Sequence, residues 1–193
     1  SYTFDKKILK DITIEIKEKS KVMVIGPSGS GKRTLFKILA GFYDNYEGNI
    51  YINEKNIKNT SIKNIIYIGQ EEKLFTDSLE NNLNIKGKNN NIKTVEIENL
   101  DQKGLIQEDG FNLSGGQKQR VALARALTDF DTLIIDEGLS ETDTNMERRI
   151  LKNILKKYHD KTIIFISHRL DNKDLFSRLI KIENGKITLN TGK

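Results

Sequence analysis

Short apolar runs recur along the chain, set off by glycine and polar residues, and between them lie segments whose apolar positions repeat at helical spacing. "ILKDITIEI" at 8–16 alternates apolar and polar residues and predicts a half-buried strand. "KVMVIG" at 21–26 predicts a short buried strand running into a glycine-rich loop. After that loop, "TLFKILAGF" at 34–42 sets Leu35, Ile38, Leu39 and Phe42 on one helical face, with Gly41 near the end. "EGNIYINEKNI" at 47–57 reads as a hairpin and "IIYIGQ" at 65–70 as a strand ending on Gln70. The polar, Asn-rich span from 78 to 105 carries helical patches in "SLENNLNI" and "IKTVEIENL". A helix follows over "GGQKQRVALARAL" at 115–127, then a buried strand over "TLIIDE" at 132–137. The basic helix "NMERRILKNILKKY", the strand "TIIFIS" before His168 and a hairpin around "ENGK" complete the pattern.

Strands alternating with helices predict an α/β fold with a largely parallel sheet, whose ligands sit beyond the carboxyl ends of the strands. With 193 residues, 36% of them apolar, the chain forms one ordinary globular domain. The absence of Cys excludes a disulfide framework, a thiolate metal site and a Cys nucleophile. The longest apolar runs, such as "TIIFI" at 162–166, fall far short of the ~18–20 residues of a membrane helix. Any membrane connection therefore comes through a partner or a further segment. The net charge of +5 comes from Lys scattered along the chain, with no basic stripe interleaved with aromatics, and no nucleic-acid partner is expected.

The loop itself, "GPSGSGKRT" at 26–34, has the P-loop pattern G-x-x-x-x-G-K in Gly26, Pro27, Ser28, Gly29, Ser30, Gly31 and Lys32. In such a loop backbone N–H groups cradle phosphates and the lysine reaches the β/γ-phosphates. A hydroxyl directly after the lysine ligates Mg²⁺, and Arg33 stands where that hydroxyl belongs. Thr34 follows it. Downstream, Ser114, Gly115 and Gly116 open a helix, whose amides and dipole form a natural second anion site. Asp136 and Glu137 end an apolar strand, an arrangement suited to holding a metal or its waters with the first carboxylate and polarising an attacking water with the second.

"LSGGQKQRVALARAL" at 113–127 resembles the signature of ATP-binding cassette (ABC) ATPases, and the resemblance covers essentially the whole chain with the motifs in order. It implies a P-loop NTPase core, an antiparallel β subdomain and a small helical subdomain at about 72–128 that carries the signature. It implies ATP and Mg²⁺ as ligands. Two such domains would pair head to tail, each loop facing the partner's Ser114, Gly115, Gly116 and Gln117 across a nucleotide. Tyr2 matches the aromatic that stacks on adenine. Gln70 matches the Q-loop residue that reaches the metal and the attacking water, and Asp136 the metal-side acid. Glu137 matches the catalytic base and His168 the switch histidine at the γ-phosphate, whereas His159 reads as a solvated residue at a helix end. "SETD" at 140–143 keeps the D-loop acid in Asp143 but departs from the family at Glu141 and Thr142, and Gly138 replaces a proline.

"LFTDSLENNL" at 74–83 and "SHRL" at 167–170 resemble the exporter branch. The implied protein is the ATP-hydrolysing motor of an exporter at the cytoplasmic face of the plasma membrane. The implied partners are a second nucleotide-binding domain and a transmembrane domain, the latter N-terminal in a longer polypeptide of which this chain is a fragment. Arg33 supports a second reading, a slowly hydrolysing regulatory site. A third, a soluble ABC ATPase acting on nucleic acid, has against it the lack of sustained heptads between the loop and the signature.

Overall fold

Lys21 apart, β1 (Lys21–Ile25) is apolar throughout, and its side chains are buried on both faces of the sheet. Runs of this kind belong in the middle of a parallel sheet covered on both sides. The computed structural model, which describes residues 8–52, 54–56, 64–70, 73–85 and 91–192, places it there. α1 (Lys32–Leu39) follows the glycine-rich loop. β2 (Tyr51–Ile52) and β3 (Lys55–Asn56) form a small antiparallel pair. β4 (Ile65–Ile68) and α2 (Leu79–Leu83) lead to α3 (Gly115–Ala126), β5 (Thr132–Asp136), α4 (Thr144–Lys157) and β6 (Thr162–Ile166). The hairpin of β7 (Arg178–Glu183) and β8 (Lys186–Gly192) closes the order.

The large sheet runs β4-β5-β6-β1-β7-β8. Its first five strands are parallel and only β8 is antiparallel. The period-2 rule divides the apolar side chains between two layers. On one face Val22 and Val24 of β1, Ile164 and Ile166 of β6 and Ile134 of β5 meet Phe36 of α1. On the other, Met23, Ile163, Phe165 and Leu133 pack against Val121 and Leu123 of α3 and Ile150, Leu151 and Ile154 of α4. Each large side chain fully buried in these layers is worth about 1.5–3 kcal/mol relative to its exposed state. The consequence for function is geometric. The loop before α1, the end of β5 and the end of β6 emerge together at the carboxyl edge of a rigid sheet.

α1 ends at Leu39, so Phe42 lies exposed beyond it and Phe36 takes the buried position on the helix. Two further segments differ from the sequence reading. Residues 8–16 form no strand, although their exposure alternates as the pattern requires and Ile14 and Ile16 pack on the apolar layer beneath α1. Burial sets the alternation, but a strand also needs a ladder. The chain is held instead by scattered bonds, such as Lys10 N–H to Gly185 O (2.8 Å) and the Arg178 guanidinium to Glu15 O. "IKTVEIENL" forms turns rather than a helix: Val95 N–H reaches Asn91 O, but Glu96 takes a positive φ of 56° that ends the turn. The tail hairpin forms as read, with Asn184 (φ 50°) and Gly185 (φ 76°) both left-handed, as a two-residue turn of the I′ kind demands. No helix among the described residues is long and apolar enough to cross a membrane.

Candidate functional site

The loop between β1 and α1 is built for a close backbone approach. Gly26 has φ 151°, and a Cβ there would meet the carbonyl oxygen of Ile182 at 2.0 Å. Gly31 has φ 99°, and its Cβ would meet Leu9 Cδ2 at 2.8 Å. α1 starts at once after Gly31, with no side-chain cap and no acidic residue in its first turn. Its first amides are thus left for an external acceptor, and the positive end of the helix dipole favours an anion. Ser30 Oγ is buried in the loop and has no hydrogen-bond partner among the described residues. Lys32 is buried, and its ammonium donates to the carbonyls of Gly26 (2.6 Å) and Pro27 (2.9 Å). Burial lowers its pKa, against the opposing pull of the Glu137 and Asp136 carboxylates. These features fit the phosphates of a nucleotide.

The end of β5 supplies the acids. Asp136 is the last residue of that strand and is buried. Glu137 turns out of the sheet with φ 55°, while its N–H still bonds Ile166 O at 3.1 Å. This unusual conformation for a non-glycine residue is held from both sides, since Ser140 N–H also returns to Glu137 O. His168 follows β6 at the surface, with Nδ1 3.7 Å from Glu137 Oε1, near enough for an ion pair when the ring is protonated and too long for a hydrogen bond.

Arg33 crosses between the loop and these acids. Its Nε donates to Asp136 Oδ2 at 2.8 Å, and its Nη2 lies 3.7 Å from Glu137 Oε2. The bond to Asp136 raises the guanidinium's already high pKa. Tyr67 of β4 donates its hydroxyl to the same Asp136 oxygen. Burial first, and then that hydrogen bond, push the Tyr67 phenol well above its ordinary value, so it stays protonated. The donor set does not fit a magnesium ion. The side chain after Lys32 offers no oxygen, and one oxygen of the metal-side acid is already taken by a cation and a phenol. Among the described residues no group of three His, Cys, Asp or Glu is placed to hold a metal.

Lys32, Arg33, Asp136, Glu137 and His168 therefore come together. Ser114, Gly115, Gly116 and Gln117 form a separate feature at the start of α3. Ser114 caps the helix: its Oγ accepts from Gln117 N–H, and Gln117 Oε1 accepts from Ser114 N–H at 2.8 Å. Among the described residues no hydrogen bond joins this turn to residues 26–34. Asp143 caps α4 through Met146 N–H. Gln70 is exposed, His159 is exposed and Tyr2 lies outside the described residues.

Three residues in this neighbourhood escaped the sequence reading. Tyr67 is one. Gln119 is another: buried on α3, its amide donates to Ser140 Oγ (3.1 Å) and toward Gln70 O (3.4 Å) and accepts from Glu141 N–H (3.0 Å). It thus ties the segments after β4 and β5 to the signature helix. The third is Glu147 of α4, whose buried carboxylate pairs with Arg169 (2.5 Å) and Asn172 (2.8 Å). Burial raises its pKa against the pull of Arg169. Only the positions of Gln119 and Glu147 within helical segments were visible beforehand, and neither marks a bond across the fold.

The sequence pattern that defines the ABC transporter family matches residues 9–140, which include the loop, the signature turn and both strand-end acids. The chain belongs to that family. It is 39% identical over 206 residues to the lactococcin-A transport/processing ATP-binding protein of Lactococcus lactis subsp. lactis, covering 96% of this chain and 28% of that protein. It is 36% identical over 205 residues to the microcin-J25 export ATP-binding/permease protein of Escherichia coli, covering 97% and 35%. The fold superposes with a TM-score of 0.90 on a bacterial Atm1-family ABC exporter solved with ATP bound, at 29% identity, covering 100% of this chain and 37% of that one. The chain thus spans between 28% and 37% of the length of these relatives.

Proposed function

We propose that this chain is the ATP-hydrolysing motor of an exporter, working at the cytoplasmic face of the plasma membrane through a transmembrane partner domain. The observation that carries the reading is the joint placement of Lys32, Glu137 and His168 at the carboxyl edge of the sheet, beside an uncapped helix start. In this reading the amides of residues 29–34 and the Lys32 ammonium hold the phosphates, and Lys32 exchanges the carbonyls of Gly26 and Pro27 for phosphate oxygens. Glu137 takes the proton of the attacking water, and His168 acts at the γ-phosphate. Tyr2 stacks on adenine and Gln70 reports on the membrane partner.

The turn at Ser114–Gln117 serves the nucleotide on a second copy or a related domain, so that two domains pair head to tail. The segment at about 72–128 forms the helical subdomain that presents it. The relatives are named for the transport of lactococcin A and the export of microcin J25, and we infer a cargo of that bacteriocin kind here. Phosphate release by the chain, lost in Glu137→Gln, tests the proposal; an undiminished rate in that variant would remove Glu137 from the chemistry.

The Arg33–Asp136 ion pair favours a second reading, in which this domain's own site holds nucleotide and turns it over slowly while its signature serves the partner's site. The two readings share every residue and differ in rate.

A further inference from the structure

The position that should ligate a divalent ion carries a cation instead, and that cation is engaged. Arg33 leaves the first turn of α1 and bonds the buried Asp136 at 2.8 Å, with its other end 3.7 Å from Glu137. Tyr67 fixes the same Asp136 oxygen from β4, and Tyr67 is itself held edge-on by Phe42, ring centroids 5.5 Å apart. Asp136 is thus bonded from two elements, the start of α1 and β4. The Arg33 side chain is half exposed, 49% of it open to solvent, so part of its donor set is accessible while Nε holds the acid.

Charge counting gives the arrangement its meaning. The two cations Lys32 and Arg33 match the two carboxylates Asp136 and Glu137 in formal charge. A guanidinium presents a fork of donors to carboxylate and phosphate alike and cannot be deprotonated in a protein. A hard divalent ion beside it would meet like charge and one fewer oxygen.

We propose that Arg33 is a resident counterion replacing the divalent metal, so that this loop takes metal-free nucleoside triphosphate and holds it independently of Mg²⁺. The inference rests on the nucleotide-binding reading above and adds to it the ionic form of the ligand. Nε keeps Asp136 neutralised, while the outward donors of the guanidinium face the β- and γ-phosphate oxygens. The nucleotide's charge is then met by Lys32, Arg33 and the amides of α1.

The test is equilibrium binding of ATP to the intact chain, by calorimetry at fixed ionic strength, in excess EDTA and in excess Mg²⁺. Wild type should bind with affinities within about threefold of each other in the two conditions, a difference of about 0.65 kcal/mol. In Arg33→Ser, which supplies the missing hydroxyl and removes the cation, EDTA should weaken binding by about tenfold or more. Arg33→Lys, which keeps a cation, should stay closer to wild type. A wild-type affinity that falls by about tenfold or more in EDTA overturns the counterion while leaving the nucleotide site intact. No binding by wild type in either condition overturns the nucleotide reading itself. If Arg33→Ser loses its circular dichroism spectrum, the wild-type comparison and Arg33→Lys still decide.

Discussion

Arg33 Nε stands 2.8 Å from Asp136 Oδ2, across 103 residues of sequence, and joins the start of α1 to the end of β5. In this fold the pair joins the two halves of the candidate site to each other. A charge-assisted bond to a buried carboxylate is among the stronger single contacts a site can hold, and it occupies an oxygen of Asp136 that a metal ion would otherwise take.

Arg33→Ser should therefore turn over faster than wild type in excess Mg²⁺. A kcat about 10-fold higher corresponds to about 1.4 kcal/mol of recovered transition-state stabilisation. Steady-state ATPase against Mg²⁺ at saturating ATP measures it, and superimposable curves would make Arg33 a bystander.

Lys32 and His168 should separate in kinetics. Lys32 meets charge already present on the bound nucleotide, so Lys32→Ala should lose ATP affinity. His168 lies at the surface beside Glu137 and acts as hydrolysis proceeds, so His168→Ala should bind ATP nearly as wild type and turn over more slowly. Equal losses of affinity in the two variants would contradict these assignments.

Tyr67 links the site to stability at high pH. Its phenol is raised by burial and by donating to Asp136, so the folded chain keeps a proton that the unfolded chain releases above pH 10.0. A raised folded-state pKa gives stability that is complete below the unfolded value and is lost as the pH climbs through the folded one. The urea midpoint of wild type should fall more steeply above that pH than the midpoint of Tyr67→Phe. Parallel curves would show that Asp136 and the sheet do not hold the phenol as described.

Much of this was legible in the sequence, for reasons that differ from residue to residue. β1, β5 and β6 are apolar runs too short for buried helices and are flanked by the residues that end strands, so both their type and the functional edge they share could be read directly. The loop and the signature carry fixed spacings with a physical cause. Residues 8–16 misled because alternation reports which side is buried and says nothing about a ladder partner. Arg33 could be placed in the loop but not assigned its partner, since an arginine there can reach a phosphate oxygen or Asp136 alike. Tyr67 and Gln119 were invisible: each looks like an ordinary residue of its strand or helix, and its role exists only once β4 lies beside β5 and α3 beside the turn after it.

In the proposed mechanism two domains pair around nucleotide: each site takes its signature turn from the partner, and ATP bridges the two polar faces. Size-exclusion chromatography of Glu137→Gln with and without ATP measures this. A monomer that becomes a dimer only with ATP is the predicted result; a species whose size ignores ATP, in a protein that binds ATP, would contradict it.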